Sequence, residues 1–129
     1  MADIYVSSVI GNNDANSGAT WTLAKASIAG ALAIAANNDR IYVDSAHVFT
    51  PSAIISYDVA TTDIFVAIIS INRNGSTTTG FSAWLAGAVE RPASTFRMDI
   101  AVGSNISRFF VFGVTFGVNS GGSSSNNIT

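Results

Sequence analysis

The sequence predicts a mainly β fold with one helix near its start, and three observations support this prediction. Its polar residues are mostly Ser, Thr, Asn and Gly, and only 11% of the 129 residues are charged, against about 25% in ordinary globular domains. Two segments late in the chain alternate with the period of a strand. A single Ala-rich segment repeats apolar residues at helical spacing. The length fits one domain, so we treat residues 1–129 as a single domain.

The first elements are a strand, a loop and the helix. The segment "DIYVSS" (3–8) predicts a short strand, and the Asn- and Gly-rich residues after it predict a loop. We expect the helix at about 22–37, because Ala has the highest helix propensity and Thr20 or Thr22 can cap it. Lys25 is its only charge, which predicts a helix covered on much of its circumference or lying over an apolar end. Its apolar face comprises Ala24, Ile28, Ala31, Leu32 and Ala35.

Two strands are predicted in the middle of the chain. The segments "RIYVD" (40–44) and "DIFVAIISINR" (63–73) have strand composition, and the second is apolar on both faces, as in a strand within a packed stack. The segment "NGSTTTG" (74–80) predicts a turn or surface loop. The segment "FSAWLAGAV" (81–89) fits either a short helix or a strand.

The clearest alternation lies in the last third of the chain. In "FRMDIAV" (96–102) the inward residues are Phe96, Met98, Ile100 and Val102. The segment "FFVFGVTFGV" (109–118) predicts one strand, in which a single face carries Phe110, Phe112, Val114, Phe116 and Val118. Gly113 and Gly117 have the other parity, where a neighbour can approach closely. The Gly/Ser/Asn-rich end (119–129) closes on "NNIT", which predicts the start of another strand.

In this order the segments resemble the N-terminal region of right-handed parallel β-helix proteins of the pectin-lyase-like superfamily. Such regions have a Tyr-Val strand, a polar loop, a Trp, an Ala-rich helix and an Ile-Tyr-Val strand. The matching residues here are Tyr5-Val6, Gly11 to Gly18, Trp21, Leu23 to Ala36, and Asp39 to Val43. The ending "FFVFGVTFGVNSGGSSSNNIT" resembles a coil pattern of the same group. This order of segments is most similar to that of β-helix proteins encoded among bacteriophage virion genes.

The resemblance implies a right-handed parallel β-helix whose first coil is covered by a capping helix. A solenoid needs such a cap because its terminal coil has exposed apolar side chains and unpaired strand edges. Residues 1–40 would form the strand, loop and cap, residues 41–118 the β coils, and residues 119–129 an end that continues into further coils. The spacing from Ile41 to Ile64 fits one coil, but that from Phe96 to Phe110 is shorter. A β-sandwich with one helix therefore stays as the alternative.

Composition argues against several classes of protein. There is no cysteine, which excludes disulfides and thiolate metal sites. No segment is long and apolar enough to predict a membrane span, and the first residues lack the pattern of a signal peptide. Nucleic-acid binding is not expected, because no basic stripe is formed by the scattered Arg40, Arg73, Arg91, Arg97 and Arg108.

The loop after the first strand has the pattern of an oxygen-ligand metal site. Asn12, Asp14 and Asn16 stand at alternate positions, as in a calcium-binding loop. The bidentate Glu of such a loop would fall on Leu23. We therefore interpret the loop as a solvated turn and expect no metal and no cofactor.

Two groups of residues are candidates for acid–base chemistry. His47, the only histidine, stands near Asp44, and such a pair can act as acid and base. A lone strand histidine is more often a packing or surface residue. The eight acidic residues are dispersed, and only the coils would bring Asp44 near Asp63. We expect structural roles for these side chains and no catalytic residue.

Aromatic residues offer a candidate contact surface. Trp84 and Phe81 could form a platform for a sugar ring or a partner protein, although burial is the commoner role of such rings. The interaction surface that we expect comprises Asn12, Asp14, Asn16 and Trp84.

The resemblance implies a non-enzymatic structural protein of a bacteriophage virion, which decorates the capsid or forms a head fibre. Expected partners are other virion proteins of the capsid or tail, and further copies of the chain in a homo-oligomer, with a trimer as one form. Nucleic acid and membranes are not expected partners. The alternative is a tail spike or fibre that binds a receptor or degrades a polysaccharide, for which a host surface glycan would be the ligand. The expected location is the virion, after synthesis in the host cytoplasm.

Overall fold

The computed structural model describes residues 1–50, 55–57, 64–82, 88–90, 98–100 and 108–116, with the backbone alone at 55–57, 90, 98–100 and 108. These residues form mainly strands, as predicted, with one short α-helix, α1 (Ile28–Leu32). A 3-10 turn at Trp21–Leu23 precedes it. The strands are β1 (Asp3–Val6), β2 (Asp39–Asp44), β3 (Val48–Phe49), β4 (Ile55–Tyr57), β5 (Phe65–Asn74), β6 (Thr77–Phe81), β7 (Ala88–Glu90), β8 (Met98–Ile100), β9 (Arg108–Phe112) and β10 (Val114–Phe116).

The first sheet is built on parallel strands in the order β1, β2, β5, and β9 pairs with the far edge of β5. Ile4 lies opposite Ile41, and Ile41 lies opposite Ile68 rather than the Ile64 that the sequence spacing indicated. Beyond the part paired with β9, the C-terminal half of β5 forms an antiparallel hairpin with β6, with a register shift between Asn72 and Arg73. This hairpin is the one antiparallel pairing among the described strands.

Two smaller sheets are also parallel. The second sheet has the order β10, β7, β3, and the third pairs β4 with β8. Successive passages of the chain therefore add one strand to each sheet: β2, β3 and β4 first, then β5, β7 and β8. Among the described residues the three sheets remain separate and are not closed into one wall.

The core lies on one face of the first sheet, which we call the inner face. Every second residue of these strands points to the inner face, including Ile4, Ile41 and Ile68. Ile28 and Leu32 of α1 pack against the same side chains. Val114 and Phe116 of the second sheet pack against the same cluster. Burial of in-register Ile and Val side chains supplies most of the favourable free energy here, at roughly 1.5–3 kcal/mol for each side chain.

The helix is much shorter than the predicted 22–37. Residues 24–27 are not helical, because Lys25 lies beside β1: its N–H donates to the Tyr5 carbonyl at 2.9 Å and its carbonyl accepts from Ser7 N–H at 3.0 Å. The N-cap is Ser27, whose hydroxyl accepts from Gly30 N–H, and not Thr20 or Thr22. None of the helices in the described residues has the length and apolar character that crossing a membrane requires.

The predicted apolar face of the helix segment is buried throughout, which confirms that part of the prediction. Every residue of α1 is buried or half-buried, so the helix is covered on much of its circumference, whereas Ile34, which follows it, is 47% exposed. Together with Lys25, the carbonyl of Gly18 pairs the outer edge of β1, since it accepts from Tyr5 N–H at 2.8 Å. The edge of the first strand is thereby protected from pairing with other chains.

Two further predictions were wrong in their bounds. Within the predicted strand 109–118, residues 109–116 belong to two strands in two sheets, because Gly113 adopts φ +68° and turns the chain between β9 and β10. Phe110 and Phe112 therefore do not share a face with Val114 and Phe116. Residues 117 and 118 lie outside the described residues. The close approach predicted at Gly113 is present, since a Cβ there would stand 2.7 Å from Ser82 Oγ. The segment 74–80 is a turn only at its start, and most of it belongs to β6.

Candidate functional site

The loop residues Asp14 and Asn16 stabilise the start of the chain. Asp14 Oδ1 accepts from the N–H groups of Ala26 (2.9 Å) and Ser27 (3.0 Å), and Oδ2 accepts from Ser27 Oγ at 2.8 Å. Asn16 Nδ2 donates to the carbonyls of Gly11 and Ala24. These polar atoms are thus used within the loop, and the described residues contain no group of three or more metal-ligating side chains.

Asn12 is exposed in the same loop, with φ +41°. Asp14 and Asn16 are thus used to hold the loop, whereas the Asn12 side chain forms no hydrogen bond with the described part of the chain. Trp84, the fourth residue of the predicted surface, lies outside the described residues, as does Asp63. Whether the loop and Trp84 form one surface stays a prediction.

Asp44 is the centre of a buried polar network where β2 ends. Its Oδ2 accepts from Ser7 Oγ at 2.8 Å and from Arg73 Nε, and its Oδ1 accepts from Ala46 N–H at 3.0 Å. The backbone N–H of His47 donates to the Asp44 carbonyl, and the imidazole is buried and stacked on Phe49 at 6.2 Å between ring centroids. The carboxylate and imidazole of this pair thus lie in packed, buried surroundings, which fits the structural role that the sequence favoured.

The outer face of the first sheet is aromatic. Tyr5, Tyr42, Ile69 and Phe112 follow one another across β1, β2, β5 and β9 at a single register level. Trp21 covers Tyr5, with ring centroids 4.7 Å apart, and forms a small second cluster of buried residues on this face. The strand β6 bends back toward Trp21, whose Nε1 donates to Thr78 Oγ1 at 3.3 Å.

Electrostatics on this face are local and paired. The Arg40 guanidinium binds Asp3 at 2.7 Å and lies 5.6 Å from the Tyr42 ring centroid. The hydrogen bond to Asp3 is the main reason that the pKa of Arg40 is raised. The pKa of Tyr5 is also raised, first by burial and then by the negative charge of Asp3. One part of the face therefore contains charges that neutralise each other.

Toward β9 the same face ends in exposed phenylalanines. Phe65, Phe81 and Phe110 are 40%, 68% and 51% exposed, and Phe81 makes an edge-on contact with Phe112 at 5.9 Å between ring centroids. The register places Phe110 beside Ala67 and Phe112 beside Ile69, so these rings share the outer face. We call Phe65, Phe81, Phe110 and Phe112 the phenylalanine patch.

Sequence reasoning identified only one member of this patch as a surface aromatic, Phe81. It missed Phe65 and Phe110 because both lie in strongly apolar strands, where a phenylalanine is usually buried. The sequence shows which residues of each strand point to the same side, but it does not show which side is covered by other parts of the chain.

Comparison of the chain with models of protein families, with curated proteins and with solved structures gave no match.

Proposed function

We propose that this chain is a non-enzymatic structural protein, built as a right-handed parallel β-helix, that decorates the surface of a bacteriophage particle. The observation that carries the proposal is the order of strand addition: consecutive passages of the chain add parallel strands to three different sheets. Parallel pairing in this order favours a solenoid over the β-sandwich alternative, whose sheets are antiparallel. Right-handedness follows the general preference of parallel crossover connections.

The start of the chain supports the same fold. Gly18 and Lys25 pair the outer edge of β1, and α1 packs on the core beside Ile4 and Ile41. A solenoid requires this covering at its first coil. The structural use of Asp14 and Asp44 supports a role in architecture, since their carboxylates accept hydrogen bonds from two or more neighbouring groups each.

The location in a virion rests on the resemblance to phage β-helix proteins together with the low charge of the chain. Its partners would be other virion proteins and further copies of itself. A tail spike that binds or degrades a host glycan remains the second candidate, and the exposed aromatic rings are the feature that favours it.

Labelling of particles separates these roles. A monoclonal antibody fragment raised against the purified chain is bound to virions whose genome encodes it, and cryo-electron microscopy locates the label. Label on the head supports surface decoration, whereas label confined to the tail replaces it with the spike. Unlabelled virions would overturn both. Fragment preincubated with excess purified chain is the control and should leave every particle bare.

A further inference from the structure

The turn between β5 and β6 contains an asparagine followed by a glycine, Asn74 and Gly75. We propose that this pair is a site of spontaneous covalent modification, at which Asn74 is converted to aspartate and isoaspartate. Asparagine is among the chemically labile residues of proteins, and its side chain can react with the next peptide nitrogen without an enzyme. The site goes beyond the proposed role in a phage particle and does not depend on it.

The reaction is a ring closure followed by hydrolysis. The peptide nitrogen of Gly75 loses its proton to hydroxide and attacks the side-chain carbonyl carbon Cγ of Asn74. The new N–Cγ bond forms, the Cγ–Nδ2 bond breaks and ammonia leaves, which closes a succinimide ring. Water then opens this ring at either carbonyl group. Attack at Cγ gives aspartate, whereas attack at the backbone carbonyl gives isoaspartate, whose main chain runs through Cβ and Cγ.

The turn leaves the attacking nitrogen available. The strand β5 ends at Asn74 and β6 begins at Thr77, and the pairing of these two residues closes a two-residue turn. Gly75 has φ +59° at the first position of this turn, where a type II′ turn requires glycine. Its N–H lies outside both strands and donates no hydrogen bond within the described part of the chain. No hydrogen bond therefore has to be broken before this nitrogen reacts.

The carbon that is attacked is equally accessible. Asn74, Gly75 and Ser76 are all exposed, and the Asn74 side chain forms no hydrogen bond with the residues that the structure describes. A Cβ built at Gly75 would meet no atom within 4 Å outside the neighbouring residues, so there is room for the ring and for the departing ammonia. Because the two groups belong to adjacent residues, the attack is intramolecular and has a high effective concentration.

Arg73 brings a positive charge to the same turn. Its Nη1 donates to the Gly75 carbonyl at 2.8 Å, while its Nε is held by Asp44. A nearby cation favours the deprotonated form of a group. The guanidinium should therefore increase the fraction of Gly75 peptide nitrogen that is able to attack.

The other asparagines of the chain lack this combination, because Asn74 alone is followed by glycine. Asn12 is the closest comparison, since it is also exposed. The residue after it, Asn13, has a side chain that crowds the ring closure, and its N–H donates to the Ala24 carbonyl at 3.5 Å. Asn12 should therefore react more slowly than Asn74.

Modification should weaken the hairpin. Isoaspartate adds one main-chain carbon at the position that closes the turn, so the pairing with Thr77 cannot be kept in register. Either product adds a negative charge to a chain whose net charge is −2. We expect the amides of β6 to exchange faster in the isoaspartate form than in the unmodified protein, because β6 is exposed along its length and has little else to hold it.

Peptide mapping by mass spectrometry tests the proposal on the purified chain, kept folded at mildly alkaline pH and sampled over time. The peptide that contains Asn74 should gain about 1 Da as carboxylate replaces amide, and isoaspartyl methyltransferase should label it. The rate should increase with pH, because the deprotonated nitrogen is the nucleophile. Asn12 is the internal control and should react at least about tenfold more slowly, a difference of about 1.4 kcal/mol in the barrier.

Two variants identify the reaction and the state in which it occurs. Asn74→Gln keeps a neutral amide but requires a larger ring that forms less readily, so it should fold like the wild type and abolish the change in mass. Ile41→Ala weakens the core rather than the turn, and it should leave the rate at Asn74 unchanged. Circular dichroism and urea unfolding show whether each variant is folded.

Two outcomes would overturn the proposal. In the first, Asn74 of the folded wild type reacts no faster than Asn12, which would mean that the turn holds the pair in an unreactive geometry. In the second, Ile41→Ala accelerates the reaction, which would mean that the pair reacts only after the whole chain unfolds. If Ile41→Ala does not fold, the comparison of Asn74 with Asn12 in the wild type still decides.

Discussion

At the scale of single residues, Asp44 shows how a buried charge is accommodated in an otherwise apolar chain. Its side chain and that of Arg73 are 2% and 13% exposed, so both ions have lost most of their water. Ser7 Oγ and Ala46 N–H occupy the remaining acceptor positions of the carboxylate. The network of Ser7, Asp44 and Arg73 joins the ends of β1, β2 and β5. Its contribution to stability depends on all three side chains being present.

We expect Asp44→Asn to lower the free energy of unfolding by roughly 3 kcal/mol, because it leaves the Arg73 guanidinium buried without its counter-ion. The control is Asp3→Asn, which breaks the Asp3–Arg40 pair, whose side chains are 34% and 40% exposed. That pair should be worth less than about 1 kcal/mol. Urea denaturation of the two variants and the wild type measures both values. Equal losses in the two variants would contradict the structural importance given to Asp44.

Tyr5 makes stability depend on alkaline pH. Its pKa is raised, above all by burial, so the folded state favours the neutral phenol. The stabilisation is therefore complete below the pKa of the phenol in the unfolded chain, which is near its ordinary value of 10.0, and is lost as pH rises through the pKa of the folded state.

Subtracting the absorbance titration curve of Tyr5→Phe from that of the wild type isolates the ionisation of Tyr5. We expect the midpoint of this difference curve to lie at higher pH in the folded than in the urea-unfolded protein. Above pH 10 the wild type should also lose stability faster with pH than Tyr5→Phe does. A difference curve that is identical in folded and unfolded protein would show that Tyr5 is solvated like a free phenol.

The contacts of Asp44 show which part of a buried network a sequence can predict. That Asp44 and His47 lie close together followed from their positions in the chain. Arg73 could not be identified as the partner of Asp44, because the register of β2 against β5 decides it and short apolar strands allow several registers.

At the scale of elements, the structure separates what periodicity predicts from what it does not. The apolar spacing correctly identified Ile28, Ala31 and Leu32 as buried. The predicted ends of the helix were wrong, because alanine favours a helix wherever no other backbone pairing competes with it. Here the edge of β1 competes: its carbonyl and N–H groups bind the backbone of Lys25. A pairing between distant segments has no signal in local propensity.

The same limit applies to β9 and β10. Alternation predicted one strand, since the parity of the apolar residues runs unbroken through Gly113. The positive φ of this glycine turns the chain into a second sheet. The consequence for the candidate site is direct: Phe110 and Phe112 lie on the outer face, while Val114 and Phe116 pack against the core.

The contact between the loop and α1 can be tested at Gly30. A Gly→Ala change within a helix usually stabilises it by about 0.5–1 kcal/mol. At this position a Cβ would overlap Asp14 Oδ1, and the carboxylate would be displaced from its donors on Ala26 and Ser27. We therefore expect Gly30→Ala to destabilise the protein by about 1 kcal/mol or more, measured by thermal or urea unfolding.

A double-mutant cycle isolates the cause of that loss. In the background of Asp14→Ala, the carboxylate is gone and Gly30→Ala should become neutral or stabilising. A loss of the same size in both backgrounds would show that Asp14 is not what confines Gly30.

At the scale of the whole molecule, stability should decrease from the interior of the stack outward. The strand β2 is bonded on both edges, to β1 and to β5, and its inward residues Ile41 and Val43 are fully buried. In contrast, β6 is exposed along its length and, among the described strands, pairs with β5 alone. Side chains stacked in register across β1, β2 and β5 make these strands depend on one another, so opening β2 requires most of the core to open.

Hydrogen exchange measures this gradient directly. We expect the amides of β2 and of the β5 residues paired with it, Val66 to Ile71, to exchange only through global unfolding. Their exchange free energies should equal the free energy of unfolding from urea, and those of β6 should be lower by several kcal/mol, since β6 can open without disturbing the core. Ile41→Ala should lower the free energy of unfolding by about 2–5 kcal/mol. It should then accelerate amide exchange in β2 and β5 together and leave the exchange rates of β6 almost unchanged. If β6 instead exchanges as slowly as β2, the hairpin is part of the cooperative core.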